Sequence, residues 1–134
     1  MKIRSCLLLI LLVWIWAISH DRLNAQTQEP AKPKEFIYVL RLVPRLYDDK
    51  NWTKADNAVL ERHFARFQEA VKSGQLILAG RTKEPGDKTF GIAIFKASDE
   101  AAARAFMEAD PTVSAGLMTA ELHPFAVALE HTNP

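Results

Sequence analysis

Cysteine is nearly absent from this 134-residue chain: Cys6 is the only one. It stands at the head of an N-terminal apolar run, so the remainder holds no thiol for a disulfide, a metal thiolate or a cysteine nucleophile. Basic runs are missing too. The formal net charge is +1, and residues 1–25 contribute Lys2, Arg4 and Arg22 against Asp21, leaving 14 basic and 15 acidic residues beyond them. A near-neutral body has no counterion-release drive toward nucleic acid, which excludes that class of partner. His63, His123 and His131 have no short-range ligand spacing, so no metal site is expected. The sequence also lacks a glycine-rich phosphate loop and a Gly-x-Ser-x-Gly nucleophile elbow, and nothing in it calls for a cofactor.

Only one long hydrophobic run is present. Residues 6–18 (CLLLILLVWIWAI) form an uncharged stretch of 13 residues, short of the roughly 20 that a bilayer-crossing helix needs. Lys2 and Arg4 precede it, and polar residues with Ala25 at a cleavage position follow. The pattern is that of a secretion signal over residues 1–25, which predicts an exported, periplasmic or secreted protein without membrane attachment after cleavage. Leu23 is larger than the small residue preferred three positions before cleavage; an uncleaved membrane anchor is the alternative. Residues 26–34 (QTQEPAKPK) have no hydrophobic period and read as a flexible tether.

What remains, residues 35–131, is enough for one domain. With 49% hydrophobic and 25% charged residues overall, the composition supports a packed core. Residues 35–43 (EFIYVLRLV) read as a strand ended by Pro44. Thr53 and Asp56 form a capping-box-like start for a helix reaching Lys72, with Leu60, Phe64, Phe67 and Val71 as its expected core stripe. Gly74 closes it. Residues 75–79 and 89–96 predict a hairpin across a Pro85-Gly86-Asp87 turn. Ser98, followed by Asp99 and Glu100, caps a second helix whose packing residues are Ala102, Ala105, Phe106 and Ala109. Pro111 interrupts that helix, and a last strand covers about residues 119–130. The order is β-α-β-β-α-β, an α+β ferredoxin-like fold with two helices on one face of an antiparallel sheet.

The strands carry a second message. A sheet wet on one side should alternate apolar and polar residues. Here Phe36, Tyr38, Leu40 and Leu42 oppose Ile37, Val39 and Val43, with Arg41 among the latter, and Ile92 and Ile94 oppose Ala93 and Phe95. Two helices cover one face only. A second copy of the chain is the expected cover for the other, giving a homodimer.

Few residues offer chemistry. On a helical wheel His63 lies roughly 70° from the centre of the expected stripe, at the border of core and surface. A structural histidine bonded to backbone is the plainer reading. Asp110 before Pro111 reads most simply as the N-cap of a short helical turn. Arg41, a guanidinium on an apolar strand, either grips a carboxylate or snorkels to the sheet edge.

In this frame the chain resembles the YCII-related (YciI-like) family, from about Phe36 to Val127. One motif is His63-x-Ala65-Arg66-Phe67, continuing through Gly74-x-Leu76 to Ala79-Gly80. The other is Ala109-Asp110-Pro111, followed by Ala115-Gly116-Leu117 and Pro124-Phe125. Arg81 stands where the family commonly has proline, and Thr112 where it commonly has an aromatic residue. The resemblance implies a dimeric α+β barrel with small pockets beside the sheets, and it makes His63 and Asp110 a candidate His–Asp active-site pair. Some relatives look like dehydrochlorinases or lactone-processing enzymes acting on small ring-derived acids. The expectation is therefore a small cofactor-free lyase or isomerase, with His63 as acid/base, Asp110 orienting it, and Arg41 or Arg81 holding a substrate carboxylate. A dimer that binds a small molecule without transforming it is the alternative.

Overall fold

The computed structural model describes residues 33–129. The expected signal (residues 1–25), most of the expected tether and His131 lie outside the described residues. Strand β1 (Lys34–Leu42) leads through two short 3-10 turns to helix α1 (Lys54–Lys72), then β2 (Leu76–Arg81), β3 (Gly91–Ala97), α2 (Glu100–Glu108), a one-turn helix α3 (Pro111–Ser114) and β4 (Met118–Phe125). The four strands form one antiparallel sheet in the order β2-β3-β1-β4. This α+β order is the ferredoxin-like one, with α3 inserted where Pro111 restarts the helix.

Local chemistry explains the boundaries. At the start of α1, the Asp56 backbone N–H donates to the Thr53 hydroxyl at 3.2 Å, and the Thr53 N–H donates back to the Asp56 carboxylate at 3.0 Å. This is a reciprocal capping box with Asp in the usual Glu position. Arg45 adds a bidentate pair to the same carboxylate at 3.0 and 2.7 Å. Arg45 first, then the Thr53 donors, hold the Asp56 carboxyl well below the usual carboxylate range. Gly74 ends α1 at φ +74°, a left-handed conformation that side-chain-bearing residues rarely adopt. The cap of α2 is Asp99, whose carboxylate accepts from the Ala102 N–H at 2.8 Å. Ser98, expected in that role, sits one residue too early. β2 starts and ends later than expected, and β4 stops at Phe125, well short of residue 130.

One face of the sheet carries the core. Phe36, Tyr38 and Leu40 of β1 and Ala93, Phe95 and Ala97 of β3 pack against Phe67 and Ala70 of α1 and Ala103 and Met107 of α2. The expected α1 stripe is corrected here. The buried positions are Asp56, Val59, His63, Phe67 and Ala70, whereas Phe64 is 54% exposed and Val71 55%. Only Phe67 belongs to both sets. The true inward face includes an acid and a histidine, each satisfied by hydrogen bonds, so apolar periodicity alone points to the neighbouring face. His63 is therefore not a border residue but part of the packed interior.

The other sheet face has no covering layer among the described residues. Ile37, Val39, Ile92 and Ile94 are half-buried there by their neighbours, and Leu78 is 49% exposed. None of the described helices is long and apolar enough to cross a membrane.

Candidate active site

The short helix α3 exists because of Asp110 and Pro111. Pro111 supplies a preset φ at the first helical position, and Asp110 caps it by accepting from the Thr112 N–H at 2.9 Å. The plain reading of Asp110 as an N-cap thus holds. The same carboxylate does more. It is wholly buried, at 0% exposure, and it faces α1, against which α3 packs.

Four donors converge on it. His63 Nδ1 lies 2.8 Å from Oδ1 and 2.9 Å from Oδ2. The Tyr38 hydroxyl donates to Oδ2 at 2.9 Å. The Thr112 hydroxyl donates to Oδ1 at 2.7 Å, beside the Thr112 N–H. Burial alone would raise the Asp110 carboxyl, but the hydrogen bonds from His63 and Thr112 outweigh it and hold the group below the usual carboxylate range. An ionised carboxylate only accepts, so Nδ1 of His63 must carry a hydrogen. Burial, reinforced by the Asp110 charge, pushes the Tyr38 phenol far above its ordinary range, so it stays protonated and serves as a fixed donor.

The imidazole is held on its other sides by aromatic rings. Phe67 lies 4.2 Å away between centroids and Phe64 lies 5.2 Å away edge-on. His63 is 5% exposed, yet Nε2 is not among the sealed, unpaired atoms and has no hydrogen-bond partner among the described residues. The residue lines a cavity of about 1050 Å³ between α1 and the β2–β3 side of the sheet. Nε2 is thus the ring nitrogen left free for chemistry. A histidine whose Nδ1–H is anchored on a buried carboxylate presents its Nε2 in a fixed direction, the arrangement of a general acid/base.

The two arginines separate. Arg81 lines the His63 cavity. Arg41 does not: β1 alternation places it on the uncovered sheet face, opposite Thr119, with its guanidinium 5.4 Å from the centroid of the Phe90 ring. Arg41 is thus not among the residues lining the His63 cavity, although Phe90, the ring it lies against, is. Tyr38 and Thr112 are the participants that sequence reasoning missed. Tyr38 looked like one more core residue of β1, and its hydroxyl was the only signal. Thr112 was visible as a departure from the family pattern, without a stated purpose. Among the described residues, no group of three or more His, Cys, Asp and Glu side chains is disposed to hold a metal ion.

Residues 41–125 match the family model described as the YCII-related domain. No curated protein matches the chain. The matched stretch includes His63, Arg81, Asp110 and Thr112, while Tyr38 lies just before it.

Proposed function

The chain belongs to the YCII-related domain family, and from that premise we propose that it is an exported, homodimeric acid/base enzyme acting on a small organic acid. The observation that carries the reading is the anchoring of His63 Nδ1 on the buried Asp110 carboxylate, with Nε2 left free beside the cavity. In the proposed step, Nε2 removes a proton from a substrate carbon next to an electron-withdrawing group. The bonding pair becomes a new double bond, and either a leaving group departs with its electrons or the proton is returned at another carbon. The first outcome is an elimination and the second an isomerisation; in lactone opening Nε2 would instead take a proton from the water that adds to the carbonyl and return it to the ring oxygen as the ring C–O bond breaks. Asp110 stabilises the imidazolium that forms, Tyr38 and Thr112 fix the carboxylate, and Arg81 pairs with the substrate carboxylate. Such a proton transfer typically contributes about 10²- to 10⁴-fold in rate.

Export rests on the N-terminal pattern of residues 1–25. Dimerisation rests on the uncovered apolar sheet face, where Ile37, Val39, Ile92 and Ile94 lie on the two middle strands and Leu78 on β2 beside them. A second copy, seating the same face against itself, removes that surface from water.

The test is proton exchange. Unsaturated lactones and carboxylic acids are incubated with the protein in D2O, and deuterium entering the carbon next to the carbonyl is followed by NMR. The expected result is catalysed exchange in at least one compound, lost by at least 100-fold in His63→Ala. Equal exchange in the two proteins sinks the proposal.

A further inference from the structure

The cavity is too large and too long for the ring-sized acid that a His–Asp pair alone would suggest. Its volume of about 1050 Å³ is at the top of the range for small-molecule sites, which run from roughly 300 to 1000 Å³. It is also elongated. The lining follows α1 from Asn57 to Lys72, and 15 helical steps at 1.5 Å each make a groove about 22 Å long.

Its walls are apolar on both sides. The helix contributes Leu60, Phe64, Phe67 and Val71, the row that apolar periodicity picked out and of which the core takes only Phe67. Phe64 and Val71 remain more than half exposed in an otherwise folded domain. Across from them, the floor is low because β2 and β3 present Ala79 and Gly91 on the side facing α1. Small residues opposite large ones leave depth between helix and sheet where larger side chains would fill it.

Charge marks one end. Lys72, at the C-terminal end of α1, is neutralised by Glu69 at 2.7 Å. Arg81, at the far end of β2 beside Gly91, has no acidic partner within 4 Å among the described residues. His63 stands between these ends. The groove therefore has one unpaired cation, Arg81, one carboxylate without an ion-pair partner among the described residues, Asp49 in the turn before α1, a hydrocarbon-lined length and a free imidazole nitrogen part-way along.

The geometry points to an amphiphilic monocarboxylate as the ligand of this groove: a carboxylate on Arg81 and an unbranched or ring-bearing hydrocarbon body lying along α1 past His63. This rests on the proposed acid/base site only for what happens after binding; the recognition itself uses groups that take no part in proton transfer. An apolar body removes the exposed Phe64 and Val71 from water, and the carboxylate supplies the counter-charge Arg81 lacks.

Displacement of a fluorescent probe, 11-(dansylamino)undecanoate, tests this on the full chain and its variants. The apolar run at residues 6–18 is common to all of them, so the chain-length and acid-against-alcohol readings are taken on the part of the binding that Val71→Asp removes. Affinity is expected to rise about fourfold per added methylene from octanoate to dodecanoate. Arg81→Gln should weaken dodecanoate about tenfold and leave dodecanol unchanged. Val71→Asp, at an exposed position that should not disturb folding, should weaken both. Affinity that does not grow with chain length, equal affinity for acid and alcohol in the unmodified protein, or indifference to Val71→Asp overturns the inference. Intact binding with no deuterium exchange in any compound overturns the acid/base reading instead and leaves this one standing.

Discussion

Replacing Asp110 by asparagine probes the centre of the site with the least change in shape. Asn keeps an oxygen for the Thr112 N–H and hydroxyl, and it is a good N-cap, so α3 should persist. The loss falls on the other oxygen, which becomes an NH2. That group is a donor facing two donors, His63 Nδ1 and the Tyr38 hydroxyl, each now bound at 2.9 Å. His63 keeps an acceptor for its Nδ1–H in the retained oxygen, 2.8 Å away, whereas Tyr38 loses its acceptor and must turn to accept from the new NH2. Two charge-assisted hydrogen bonds thus become neutral ones, at roughly 1 kcal/mol each. The expected destabilisation is about 2 kcal/mol at pH 7, a Tm fall of about 8–16 °C for a domain of this size.

The pH dependence follows from the same carboxylate. Its folded pKa is depressed, so its stabilising contribution is full above its unfolded value, near 4, and is lost as pH falls through the folded one. The gap between wild type and Asp110→Asn should therefore be constant from pH 7 to about 5 and narrow below 4. Asp56 is also held low and gives both proteins a shared acid limb. Thermal unfolding at pH 7, 5 and 3 measures the gap, and 15N correlation spectra of His63 identify which ring nitrogen is protonated. A Tm change under 2 °C, or an Nδ1–H lost in the variant, refutes the reasoning.

Tyr38→Phe removes a fully buried hydroxyl that donates to Oδ2; unfolding should cost about 1–2 kcal/mol less, with the His63 Nδ1–H unchanged in NMR spectra. Thr112→Val should destabilise by about 1–2 kcal/mol through loss of its buried donor, and Thr112→Ser should recover most of this in denaturant titrations. Val39→Asp places a charge on the uncovered sheet face, outside the core cluster, so light scattering should report a folded monomer where the unmodified protein is a dimer; a wild-type monomer would count against the dimer. The proposed export predicts an intact mass corresponding to cleavage after Ala25, and full-length product in the membrane fraction would favour an anchor.

Much of the fold was legible because each local signal agreed with its neighbours. The Thr53–Asp56 box, Gly74, the Pro85-Gly86-Asp87 turn and the Asp110-Pro111 pair punctuate the chain where elements begin and end. Boundaries drifted where such signals compete. Ser98 and Asp99 are adjacent cap formers, and only the carboxylate at Asp99 reaches the Ala102 N–H. In β4, apolar and polar residues continue beyond Phe125, but pairing with β1 stops where Glu35 meets Phe125. Sequence alternation cannot reveal the length of the neighbouring strand, and that neighbour decides how far a ladder runs.

The site was legible in its two principal residues and not in their surroundings, for a reason rooted in α1. A core stripe is normally recognised because burial selects apolar side chains. Here burial selected Asp56 and His63, which the interior tolerates because Arg45 and Thr53 satisfy one and Asp110 satisfies the other. The apolar residues Leu60, Phe64 and Val71 are then left beside the cavity rather than in the core. The displaced stripe and the inward histidine are therefore one feature. Turning α1 until its most apolar row faced the sheet would bury Phe64 and Val71, but it would also carry His63 away from Asp110 and close the groove. A helix that follows hydrophobic periodicity everywhere has no reason to keep a cavity. The rotation of α1 away from that optimum leaves an imidazole anchored on a buried carboxylate and an apolar wall beside it.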